Sequence, residues 1–236
     1  SAEAVTVRQR HSFIELPDDQ YQPREFDTRA GYFNISYLDF TSPIGEPMEK
    51  KFISRHRLEK KDPSAAISEA VEPIVYYLDR GTPEPVRSAL IEGGNWWNQA
   101  FEAAGFKNAI QAKDAPTPEE DPEWSPEDAR ISVIRYFASP TQNAYGPHTS
   151  DPRSGEILES DIGWYHNVMN LLRNWFFIQT AAINPDPRGE NFSDETFGLI
   201  DDDPVGQHRP QLRNHVIRGW GLLLQNCHTG NVRERL

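Results

Sequence analysis

Residues 72–114 carry the pattern that most restricts what this chain can fold into. "EPIVYYLD" at 72–79 is a short continuous apolar run of the kind a buried strand shows. "TPEPVRSALIEGGNWWNQAFEAAGF" follows, with Thr82 placed to cap a helix, Pro83 suited to its first turn and Gly105 suited to the residue past its end. Val86, Leu90, Trp97, Phe101 and Ala104 fall on one helical face, and Gly93 and Gly94 permit close packing at some cost in propensity. "NAIQAKDA" then returns to a strand pattern, so the order is strand, helix, strand.

The flanks add strands and one more helix. Residues 5–16, 31–40 and 50–58 are expected strands, the second alternating Tyr32, Asn34, Ser36 and Leu38 against Phe33, Ile35, Tyr37 and Asp39. "APTPEEDPEWSPEDA" at 115–129 is a proline-rich acidic surface loop, and "ISVIRYFAS" at 131–139 is a strand. Two extended segments then flank a turn at 151–155, and residues 167–183 present Val168, Leu171, Leu172, Trp175, Ile178 and Ala182 on one helical face. The expected class is α+β: a β-rich N-terminal unit (1–70), a mixed sheet with two main helices (71–190), and an irregular tail (191–236).

The 236 residues are enough to bury a core without staples. A net charge of -12 argues against nucleic acid as a partner, because no broad basic surface is available to release counterions. A single cysteine excludes a four-cysteine zinc site and an internal disulfide. The apolar run at 175–183 falls well short of the roughly 20 residues of a membrane span, so none is expected.

Candidate chemistry is sparse. His208, His215, Cys227 and His228 are zinc-type ligands at spacings that fit no compact site, and Asp201, Asp202 and Asp203 lack a cation-binding loop around them. Glu156, Glu159 and Asp161 alternate along a strand, which places Glu159 and Asp161 on one face, either as a glycosidase-like pair or as the wet side of a half-buried strand. His148 and His166 flank that region. There is no Gly-x-Ser-x-Gly elbow, phosphate loop or dinucleotide fingerprint.

Five stretches carry a resemblance: "RHSFIELPDDQYQPREFDTRAGYF", "SYLDFTSPIGEP", "YYLDRGTPEPVRSALIEGGNWWNQAFEAAGFKNA", "DPRSGEILESDI" and "WYHNVMNLLRNWFFIQTAAINP". Over residues 8–190 the chain resembles a family of large bacterial zinc-dependent metalloproteases of the metzincin type, which carry flanking domains of unknown function. The resemblance implies a metzincin-like sheet whose antiparallel edge strand receives an extended peptide by β-augmentation. "NAYGPHTSD" takes that place, making Tyr145, Gly146, Pro147 and His148 the expected substrate rim. Peptide or protein substrates and an extracytoplasmic address are implied in the same way.

In the family, a helix further on carries His-Glu-x-x-His, two zinc ligands one turn apart with the glutamate activating water. No His-Glu pair occurs here, and "NFSDETFGLIDDDPVGQHRPQLRNHVIRGWG" stands in that place. The family's zinc is therefore expected to be unbound by this chain, with no catalytic or metal-ligating residue assigned. The activity expected is that of an incomplete or degenerate metalloendopeptidase, with a non-catalytic peptide-binding module as the alternative. Residues 204–236 also change composition, to five arginines and one glutamate with no lysine or aspartate. A shifted reading frame after about residue 197 or 200 would produce such a tail, and translation of the gene in all three frames tests it.

Overall fold

The computed structural model describes residues 4–9, 11–29, 31–171 and 174. In chain order its elements are β1 (Asn34–Leu38), β2 (Glu49–Ile53), β3 (Ser68–Glu69), β4 (Ile74–Leu78), α1 (Val86–Trp96), α2 (Asn98–Ala103), β5 (Phe106–Lys107), β6 (Ile110–Asp114), β7 (Ser132–Phe137), β8 (Ala144–Tyr145), β9 (His148–Ser150), β10 (Ile157–Ser160) and β11 (Ile162–Tyr165). The class is α+β. Among the described residues, no helix is long and apolar enough to cross a membrane.

The main sheet has the order β6-β4-β7-β11-β8. β4 pairs parallel with β6 and with β7, β7 pairs parallel with β11, and only β8 runs antiparallel, against β11. Strand alternation sorts the side chains. Ile74, Tyr76 and Leu78 of β4, Ile110 of β6, Ile134 of β7, and Ile162 and Trp164 of β11 point into one core with Ala89, Leu90 and Phe101 of the helices. A helical turn at 168–171 adds Val168 to that core. The rest of the expected second helix, and all of the expected tail, lie outside the described residues.

The predicted helix over 82–104 is shorter and divided. Thr82 is buried ahead of it and donates its N–H to Asp79 in a turn, so it does not cap. The N-cap position falls on Pro85, which has no side-chain cap bond, and the Glu84 carboxylate just before it accepts from the Ser88 N–H (3.3 Å) and hydroxyl (2.7 Å). At Trp97 the backbone tightens, its N–H reaching Gly94 rather than a carbonyl four residues back. The asparagines on either side of this break, Asn95 and Asn98, both reach β6.

The expected strand at 5–16 is absent: these residues have no regular structure where described, and Phe13 is 96% exposed. β-Branched residues favour a strand only where a neighbouring strand offers a ladder and a packed face, and among the described residues no strand pairs with this segment. β1 and β2 do pair, antiparallel, from Asn34↔Ile53 to Leu38↔Glu49. Their ribbon is tied to the turn between β9 and β10: the Arg55 N–H donates to Gly155 (3.1 Å), and the Ile157 N–H donates to Arg55 (2.9 Å).

Side chains reinforce this junction. The Arg57 guanidinium grips buried Glu156 with two bonds, Nε to Oε1 at 2.7 Å and Nη2 to Oε2 at 2.9 Å, and its Nη1 reaches Asp18 at 2.8 Å. The Tyr21 ring lies 4.5 Å from the Arg55 guanidinium and 5.8 Å from that of Arg57, and burial pushes its hydroxyl up to about 12. Gly155 has φ 80, and a Cβ there would stand 2.4 Å from the Ile53 carbonyl oxygen, so the close approach of the two backbones requires glycine.

Candidate functional site

A sheet open at both edges offers two ladders to any extended chain. Here the edges differ. Along β6, the Asn98 side chain donates to the Ile110 carbonyl (2.7 Å) and accepts from the Ile110 N–H (3.3 Å). Asn95 does the same at Ala112, at 2.9 and 3.0 Å. A carboxamide has the same donor and acceptor as a peptide unit, so the two asparagines stand in for a neighbouring strand and close that edge. Replacing either with alanine is expected to cost about 1 kcal/mol, by stranding a β6 N–H and C=O. The double variant should also self-associate in sedimentation experiments, and a strictly monomeric double variant would contradict the plug.

β8 forms the opposite edge, and among the described residues no further strand pairs with it. Its register sets Tyr145 against Gly163 and Ala144 against Trp164. The Tyr145 ring lies flat over Gly163, where a Cβ would come within 2.3 Å of a ring carbon. The ring is stacked near-parallel on Phe137, with centroids 6.2 Å apart, and tilted against Tyr165 at 5.9 Å. Tyr165 and Phe137 are register partners on β11 and β7, with centroids 5.2 Å apart. These three rings make an aromatic floor, on the sheet face away from the helices, where the edge strand meets the ends of β7 and β11.

Beyond it the Tyr136 hydroxyl meets His166 Nδ1 at 2.6 Å. Burial pushes the Tyr136 hydroxyl up.

The expected rim residues are separated by the structure. Tyr145 lies in β8 and is exposed, Gly146 and Pro147 form the link that follows, and His148 opens β9. β9 belongs to a different two-stranded sheet with β10, pairing His148 with Ser160. Pro147 explains the division of "NAYGPHTSD" into two short strands. It has no N–H for a ladder, and its carbonyl is taken by the Asp161 N–H at 2.9 Å. His148 instead faces Phe33 of the N-terminal unit, with ring centroids 6.1 Å apart, and burial lowers its imidazole below 6.5.

The structure does bring together two acids singled out from sequence. Glu159 accepts from the Thr149 hydroxyl at 3.1 Å and Asp161 from the Val133 N–H at 2.8 Å, and the two are near enough for the Asp161 charge to raise Glu159. Burial first, and then the Asp161 charge, raise Glu159 to about 7; Asp161 is also raised by burial, opposed by the bond from the Val133 N–H. Glu156 plays no part in the pair, being held by Arg57.

No group of three His, Cys, Asp or Glu side chains that could hold a metal occurs among the described residues. His166 is engaged through Nδ1 with Tyr136, and His148 packs on Phe33. His208, His215, Cys227, His228 and Asp201 to Asp203 lie outside the described residues.

Sequence reasoning missed Gly163, the aromatic floor, the Tyr136–His166 pair and the asparagine plug. The only local signal was a glycine interrupting the strand "DIGWY", which marks a close approach. A family model described as a domain of unknown function (DUF5117) matches residues 1–61. No curated protein and no solved structure matches the chain.

Proposed function

We propose that this chain provides the peptide-accepting part of a metzincin-like catalytic domain, an incomplete or degenerate zinc-dependent metalloendopeptidase, with β8 as the strand on which an extended peptide aligns. The asymmetry of the sheet carries this reading: one edge is closed by Asn95 and Asn98, while the other is the sole antiparallel strand, underlaid by Phe137, Tyr145 and Tyr165. The order of strand, helix and further strands supports the same resemblance. The substrate on this reading is a peptide or protein, and the family's extracytoplasmic address goes with it.

In the family, zinc polarises the scissile carbonyl and activates water, but the described residues do not fit the ion, and no hydrolytic step is derived for them. Absence of a His-Glu pair from all 236 residues favours a second reading, a peptide-binding module on the same scaffold without catalysis.

The test uses the 236-residue chain and an unfolded, reduced and alkylated protein as the probe. On the proposal the probe slows amide exchange over residues 143–146, and Tyr145→Ala weakens binding by about tenfold through loss of the aromatic contact. Absence of any binding rejects both readings. Stoichiometric zinc by elemental analysis together with cleavage of the probe selects the peptidase, whereas binding without cleavage selects the module.

A further inference from the structure

We propose that β8 selects peptides with an aromatic side chain at one position, the residue that comes to lie across from Tyr145, and that Asn143 marks the register in which they bind. This rests on the peptide-accepting edge proposed above and adds which peptides that edge takes.

The direction of each β8 peptide group follows from its pairing with β11. The Asp161 N–H donates to the Pro147 carbonyl at 2.9 Å, and Tyr145 pairs with Gly163 in the same antiparallel register. Antiparallel partners alternate between hydrogen-bonded and non-hydrogen-bonded pairs. Asp161 with Pro147 is of the bonded kind, so Gly163 with Tyr145 is bonded too, and Trp164 with Ala144 is not. The N–H and C=O of Ala144 therefore point away from β11, toward the open edge. That N–H donates to the Oδ1 of Asn143, the residue before it, at 2.8 Å. The side-chain oxygen stands where an added strand would place a peptide carbonyl, as the Asn95 and Asn98 oxygens do along β6. Asn143 is exposed, so its carboxamide can turn to water and yield the position.

A strand that replaces it does so with one residue, whose C=O accepts from the Ala144 N–H and whose N–H donates to the Ala144 carbonyl. With that strand antiparallel to β8, the residue just before it in the peptide stands across from Tyr145. Tyr145 and Gly163 project to the sheet face away from the helices, so this residue projects there as well. Its pair with Tyr145 is the non-hydrogen-bonded kind, the closer of the two, with Cα atoms about 4.5 Å apart. Its side chain comes against the Tyr145 ring, which Phe137 and Tyr165 flank and Gly163 underlies. Tyr145 is 43% exposed, which leaves ring surface for a ligand to cover. The adjacent peptide residue, bonded to Ala144, faces the side on which Ala144 packs against the core, away from the floor.

Magnitudes decide the side-chain type. A ring laid on the floor gains apolar burial and a stacked or edge contact with Tyr145, together about tenfold in affinity over alanine. A lysine over an exposed ring gains only about two- to fivefold. A carboxylate meets the negative faces of the rings and gains nothing.

Calorimetric titration of the 236-residue chain with blocked heptapeptides tests this. Each host has three threonines on either side of a central phenylalanine, lysine, glutamate or alanine, so only the centre can seek the floor. The phenylalanine host should bind about tenfold tighter than the alanine host, with lysine between them and glutamate weakest. Tyr145→Ala should cut the phenylalanine advantage to about twofold, and Tyr145→Phe should keep it. Asn143→Ala should tighten every host about threefold and leave their ratios unchanged, because it removes a competitor for the Ala144 N–H and no part of the floor. Equal binding of the four hosts overturns the selectivity while the peptide-accepting edge stands; binding of none at millimolar concentration overturns both. A lysine host tighter than the phenylalanine host overturns the selectivity, as does a full phenylalanine advantage in Tyr145→Ala. Weaker binding to Asn143→Ala overturns the register.

Discussion

Trp164→Ala is expected to destabilise the chain by about 4 kcal/mol, a large part of the whole stability of a domain this size. Trp164 is the largest of the fully buried side chains and sits on β11 between β7 and β8, facing the helices. Its loss leaves a cavity walled by strands whose backbones are held in register and cannot collapse to fill it. The comparison with Trp164→Phe is informative, because the indole N–H is buried with no hydrogen-bond partner among the described residues. Phenylalanine keeps most of the apolar volume and removes that unsatisfied donor, so its cost should be below about 2 kcal/mol. Thermal unfolding followed by far-ultraviolet circular dichroism reads both. Equal losses for the two substitutions would mean that indole volume is not what holds this part of the core.

Arg57→Ala is expected to cost about 3 kcal/mol, and most of that comes from Glu156 rather than from the lost attraction. The Glu156 side chain is 8% exposed, so without the guanidinium a buried carboxylate has lost its two charged donors. Glu156→Gln combined with Arg57→Met removes both charges and should recover much of the loss, since an apolar stem can still lie along the Tyr21 ring. Denaturant midpoints of the single and double variants form the measurement. A double variant no better than the sum of its singles would show that the charges were not coupled. Because Asp18 also binds Arg57, the single variant should free residues 17–22 to early proteolysis, which detects the same break locally.

These positions also show what was legible in the amino-acid order. The apolar runs that became β4, β6 and β7 were readable because each is a local pattern: a buried parallel strand needs apolar side chains whatever lies beside it. The same holds for the helical periodicity over 86–104, for the turn between β9 and β10, and for the proline-rich loop after β6. The false strand at 5–16 has the right residue types with no partner, and its composition could not reveal the difference. The candidate site was half legible. Tyr145 does stand on the edge strand, but the division at Pro147 moved His148 into another sheet, and Glu159 and Asp161 are held from different strands, by Thr149 and by Val133.

Sequence alone determined which segments are apolar on one face, where turns interrupt them, and that His-Glu-x-x-His is missing, since each is a property of residues a few positions apart. Only the tertiary structure decided that Arg57 meets Glu156 across 99 positions, that Asn95 and Asn98 close β6, and that Gly163 makes room for the Tyr145 ring. Such contacts depend on which strands become neighbours. That choice is made by packing a whole sheet against its helices, and no single segment encodes it.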